Sequence, residues 1–98
     1  MKLVTVITYP DDAATLIETL RQSDFRSTRL DTAGGFLKRG NATVFIGVDN
    51  DQVDEVLRII QETCKPHTVN SSSDRTARSV RTSAATVMVL NVSRFERL

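Results

Sequence analysis

Arg26 and Thr28 stand two residues apart in FRSTRLD, Phe25 to Asp31. If this stretch is a strand, that spacing puts a guanidinium and a hydroxyl on one face. Together they suit a phosphate oxygen, because the guanidinium fork donates in parallel and the hydroxyl adds a further donor. The same residues equally describe a solvated sheet face, and spacing alone leaves both readings standing. Asp24 precedes them and adds a carboxylate beside the pair.

All four glycines of the chain, Gly34, Gly35, Gly40 and Gly47, fall in GGFLKRGNATVFIG. Gly35 to Gly40 satisfies G-x-x-x-x-G, the spacing of a phosphate-cradling loop. Asn41 and Ala42 stand where that loop needs Lys and Ser or Thr, and a strand follows where a helix should. A glycine-assisted hairpin explains Gly34, Gly35, Gly40 and Asn41 better, since they tolerate the left-handed backbone of tight turns. Two details exceed what a turn needs. Phe36 and Leu37 put an apolar pair at its tip, where the ring can stack on a base or pack on a neighbouring subunit. Gly47 lies inside a strand, where a missing side chain admits a close approach by ligand or backbone.

Other candidates are weaker. Cys64 and His67 form C-x-x-H, two ligands where structural zinc wants four. Cys64 also falls on an apolar helical stripe, which favours a buried structural thiol over a catalytic one. Arg75, Arg78 and Arg81 recur at every third residue of a polar stretch; a solvated loop is the default, an anionic partner the alternative. No nucleophile elbow and no carboxylate pair placed for acid–base work occurs, so no catalytic residue is expected.

The elements that must position these groups follow from pattern. Lys2 to Thr8 is a β-branched strand. Pro10, Asp11 and Asp12 open a helix with Ala13, Leu16, Ile17 and Leu20 on one face, ending near residues 22–24. Phe25 to Asp31 is a polar strand and Thr43 to Val48 another. Asp49, Asn50 and Asp51 offer caps for a second helix, whose apolar stripe is Val53, Val56, Leu57, Ile60 and Cys64; Lys65-Pro66 stops it. Residues 66–83 read as one mobile Ser/Thr/Arg-rich loop. Ala84 to Val92 is the most apolar strand and is expected at the centre of the sheet. Arg94 to Leu98 is expected to add one helical turn. The order β-α-β-β-α-β predicts an α+β, ferredoxin-like single domain over residues 1–98, with both helices on one side of the sheet. The other side and the edges stay uncovered, which invites oligomers and places function at a subunit boundary.

Bulk properties narrow the classes. The chain has 98 residues and a net charge of +1, too little for a general polyanion binder, so neither DNA nor RNA is expected as partner. The charge is uneven: residues 1–64 hold seven Lys/Arg against ten Asp/Glu, residues 65–98 six against two. One cysteine excludes an internal disulfide and fits a reducing compartment. The opening MKLVTVITYPDD lacks a signal peptide's apolar run and cleavage site, and no segment is apolar for long enough to insert in a membrane. A cytoplasmic location is expected.

Phe25 to Cys64, FRSTRLDTAGGFLKRGNATVFIGVDNDQVDEVLRIIQETC, closely resembles the PII-like cyclic di-AMP receptors of the PstA type, as do MKLVTVI and AATVMVLNVSRFERL. The resemblance covers most of the chain except residues 65–83. It implies a homotrimeric PII-like assembly of ferredoxin-like subunits, with cyclic di-AMP in the inter-subunit clefts, no catalysis and no cofactor besides the ligand. It further implies loops that respond to the ligand and relay the signal to a downstream partner protein. The positions corresponding to family ligand contacts are Arg26, Ser27, Thr28, Phe36, Leu37, Asn41 and Gly47. Arg26 and Thr28 would then hold phosphate, Phe36 and Leu37 pack on adenine, Asn41 bond the sugar-phosphate, and Gly47 leave room.

The chain also departs from the family. Asp24 stands where asparagine is usual, replacing a donor-acceptor amide with an acceptor. Met88 replaces a frequent phenylalanine, which weakens stacking. Arg97 replaces a frequent glutamine and brings charge suited to phosphate. The segment after the second helix is shortened, and Ser83-Ala84 replace a glycine pair. The expectation is a cyclic di-AMP receptor; the alternative is a PII-like protein with another nucleotide or a purely protein-binding role.

Overall fold

A computed structural model describes the backbone of residues 1–31, 41–64, 68–70, 79–81 and 85–98, with side chains for all of these except 68–70 and 79–81. Strand β1 (Lys2–Thr8) leads into helix α1 (Pro10–Gln22), then β2 (Ser27–Asp31) and β3 (Ala42–Val48). A 3-10 turn over Asn50–Gln52 precedes helix α2 (Val53–Thr63). Strands β4 (Thr68–Asn70), β5 (Ser79–Arg81) and β6 (Ala85–Asn91) follow. The main sheet has the order β2-β3-β1-β6, and every neighbouring pair is antiparallel. This is the strand order of the ferredoxin-like arrangement expected from β-α-β-β-α-β.

Alternation in the strands decides the core. Val4 and Val6 of β1 and Ala42, Val44, Ile46 and Val48 of β3 point one way and are buried. Against them pack Ala13, Leu16 and Leu20 of α1 and Val56, Ile59, Ile60 and Cys64 of α2. The stripe on α2 is thus centred differently from the one expected. Ile59 is buried, whereas Val53 and Leu57 lie at its margin and pack against the core from its edge.

The helix ends are built from local chemistry. Pro10 opens α1 with Asp11 and Asp12 in its first turn. Before α2, the Asp49 backbone N–H donates to Gln52 Oε1 at 3.0 Å. At the far end of α1, Asp24 adopts φ 65°. The Phe25 N–H donates to the Leu20 carbonyl at 2.8 Å and the Asp24 N–H to the Arg21 carbonyl at 3.1 Å. These two bonds form a Schellman stop, with Asp24 in the left-handed position that glycine or asparagine usually fills. Phe25 therefore belongs to the helix stop, and β2 begins at Ser27 rather than Phe25.

Three further expectations are corrected. β6 is an edge strand, not a central one. Its apolarity does not reflect two buried faces: Met88, Val89 and Leu90 are 43%, 42% and 49% exposed. Within residues 66–83, Thr68–Asn70 pairs antiparallel with Ser79–Arg81, Val69 opposite Val80, so the stretch is not one continuous loop. Strands of three residues are too short for alternation to reveal. Finally, Arg94–Leu98 forms no helical turn.

Candidate functional site

One end of the sheet gathers the start of β1, the start of β2, the end of β3 and the end of β6, as the strand register requires. The C-terminal end of α1 and the tail after β6 reach the same place. Between them lies an open cleft of about 940 Å³, toward the upper end of the range of small-molecule sites. Its floor is Leu3, Phe45 and Gly47, on the sheet face turned away from the helices. Arg26, Ser27 and Thr28 form one wall, Ile17, Arg21 and Phe25 flank it, and Met1, Val92, Phe95 and Arg97 close the other side.

Among the described residues, the lining holds three arginines and no carboxylate. Pairing distinguishes these arginines. Glu18 accepts from Arg21 at 2.6 Å, and this bond lowers the Glu18 pKa and raises that of Arg21. Away from the cleft, Arg29 pairs with Asp31 at 2.9 Å, Arg58 with Glu62 at 3.1 Å and Arg94 with Glu96 at 2.5 Å. Among the described residues, only the guanidiniums of Arg26 and Arg97 have no carboxylate partner, and both line the cleft. Two guanidiniums without a carboxylate partner and the Ser27 and Thr28 hydroxyls thus line one cleft, and guanidinium geometry suits phosphate or carboxylate.

Of the ten residues singled out from sequence, Arg26, Ser27, Thr28, Gly47 and Arg97 meet in this cleft. Phe36 and Leu37 lie outside the described residues. Asp24 is exposed and stands beside the cleft without lining it. Met88 is exposed on the open face of β6, opposite Thr5 of β1, and does not reach the cleft. Asn41 precedes β3, at the other end from Gly47. Six residue steps along the strand separate them, about 20 Å at the usual rise.

Several lining residues carried no sequence signal. Phe45 is the exception, since it shares a strand face with Gly47 by alternation. Phe95 and Val92 sit in a tail without regular structure, and Arg21 and Phe25 reach the cleft only because α1 ends there.

The C-x-x-H reading finds no support at its first member. Cys64 is buried at 3% exposure; burial raises its pKa, against a lowering bond from Thr8, and Asp12 raises it further. His67, Arg75 and Arg78 lie outside the described residues. No group of three or more His, Cys, Asp or Glu among the described residues is arranged to hold a metal ion. No described helix is long and apolar enough to cross a membrane.

The whole chain, residues 1–98, matches the model of the family described as "Cyclic-di-AMP receptor". A crystal structure of a functionally unknown protein from Pediococcus pentosaceus is similar over 99% of this chain and 96% of that one, with 36% identity and a TM-score of 0.74. The family is one of receptors, binding proteins rather than enzymes. The chain belongs to the cyclic-di-AMP receptor family.

Proposed function

We propose that this protein is a cytoplasmic, PII-like receptor for cyclic di-AMP, binding it in clefts between the subunits of a homotrimer. One observation carries the reading: the two described guanidiniums without carboxylate partners, Arg26 and Arg97, line the same cleft as Thr28, and no described carboxylate lines it. Cyclic di-AMP offers that cleft two phosphates and two purines. Arg26, Ser27, Thr28 and Arg97 take phosphate, and Gly47 leaves the floor open to the ligand. Phe36 and Leu37 pack on adenine and Asn41 bonds the sugar-phosphate. Because β3 separates Asn41 from Gly47, the Asn41 that completes a cleft comes from a second copy of the chain.

The open sheet face supports the trimer. Leu3, Ile7, Leu30, Phe45, Met88 and Leu90 share it, and Leu30, Met88 and Leu90 are 49%, 43% and 49% exposed. Apolar side chains on an uncovered sheet suit burial against other copies. On this reading Met88 belongs to subunit packing or to the ligand's far edge, and Asp24 borders the phosphates. Ligand in the cleft shifts loop populations, and a downstream protein reads the shift.

A thermal-shift panel with cyclic di-AMP, cyclic di-GMP, ATP and AMP, beside a native mass measurement, tests this. Ligand at a hundred times Kd should stabilise the fold by about 2.7 kcal/mol. A folded trimer that responds to none of the four sinks the ligand assignment, and a response to another nucleotide alone reassigns it. A monomeric mass sinks the shared cleft.

A further inference from the structure

Phe95 is the only aromatic ring among the described residues that is more than half exposed, at 62%. It lines the cleft. The tail that carries it is anchored where the Val92 N–H donates to the Met1 carbonyl at 3.1 Å. Beyond that point side chains divide by turns. Arg94 and Glu96 pair with each other, while Phe95 and Arg97, between and after them, both line the cleft. The tail therefore presents an open π-face and an unpaired guanidinium two residues apart, the combination that single nucleotides require: stacking for the base, charge for the phosphate. Arg26 and Thr28 lie in the opposite wall.

We infer that Phe95 is a base platform, stacking on one purine while Arg97 beside it holds the adjoining phosphate. The inference rests on the proposed ligand and deepens it, because a cyclic dinucleotide has two bases to seat and Phe36 and Leu37 are assigned to one. The tail after β6 then discriminates purines from ligands without a stacking face.

The chain has no tryptophan, so Phe95→Trp makes a single reporter at the site. Phe95→Leu keeps apolar bulk and removes the π-face. Calorimetric titration with cyclic di-AMP should show wild type and Phe95→Trp binding comparably. Phe95→Leu should bind about 5- to 150-fold more weakly, the usual loss of one stacked base. Tryptophan emission should change saturably along the same curve. Leucine binding like wild type, emission blind to saturating ligand, or a Phe95→Leu variant of altered oligomer mass each overturns the inference, the last by making Phe95 an interface residue. If wild type binds no cyclic di-AMP, that failure belongs to the ligand assignment. The platform is then supported by an emission change with ATP, AMP or cyclic di-GMP, and overturned by silence to all three.

Discussion

Replacing Gly47 by alanine separates two reasons for a glycine in a good strand. Gly47 is exposed in β3 opposite Leu3, and its φ lies outside the left-handed region, so alanine suits the backbone. A Cβ built there meets one atom closely, Met1 Cε at 3.0 Å. That atom ends a flexible side chain and can move aside. Alanine in a strand interior gains about 0.5–1 kcal/mol over glycine. After Met1 adjusts, the net stabilisation should fall between none and about 1 kcal/mol, and for a domain this size 1 kcal/mol raises Tm by about 4–8 °C. The added methyl also projects into the cleft floor. Overpacking a filled site costs about 1–3 kcal/mol, so cyclic di-AMP affinity should fall about 5- to 150-fold. Differential scanning fluorimetry and calorimetric titration of one variant read both numbers. Affinity unchanged at equal or higher Tm would refute the clearance argument. A lower Tm with unchanged affinity would show that the glycine serves only the packing of Met1.

Arg26→Ala and Arg97→Ala should each weaken cyclic di-AMP about 10- to 150-fold, the value of a charge-assisted hydrogen bond, and leave Tm of the free protein nearly unchanged; a large Tm loss would mean the guanidinium supports the fold instead. Asp24→Gly should raise the urea midpoint by the equivalent of about 0.5–1 kcal/mol, because glycine accepts the left-handed stop at no steric cost and removes a negative charge from a helix C-terminus. A lower midpoint would contradict that account of the turn. Mixing Arg26→Ala and Asn41→Ala chains by co-refolding should restore about a quarter of wild-type sites, since a closed ring of random composition joins the two intact halves at that frequency. No restored binding would show that the two residues do not share a cleft across a subunit boundary.

Element type and order were readable from residues because each helix and inner strand follows the period of one buried face. Val4 and Val6, or Leu16 and Leu20, could hardly stand anywhere but against the core. β6 was misplaced by the same logic. AATVMVLNV is apolar on both faces, and a sequence does not distinguish a strand covered twice within its own chain from one awaiting other copies. Helix α1 packs over β2 and β3 and against α2, and Val89 stays half-exposed even on the helix side of the sheet. Residues 66–83 were misread for a different reason. A pairing three residues long has too few positions to alternate, and its polar surroundings hid Val69 and Val80.

The site was legible in the half that obeys strand geometry. Arg26, Thr28 and Gly47 could be grouped because alternation and antiparallel pairing put them at one end of the sheet. The rest of the cleft depends on where chain segments end. Arg21 and Phe25 reach it because the Asp24 turn stops α1 there, and Phe95 and Arg97 because the tail turns back past Met1. No periodicity encodes such meetings. The 20 Å between Asn41 and Gly47 follows from strand rise alone, and it has a consequence that composition does not show. A rigid strand cannot bring its own two ends to one ligand. If both ends bind, different copies must supply them, so the uncovered apolar face and the divided site have a common explanation in assembly.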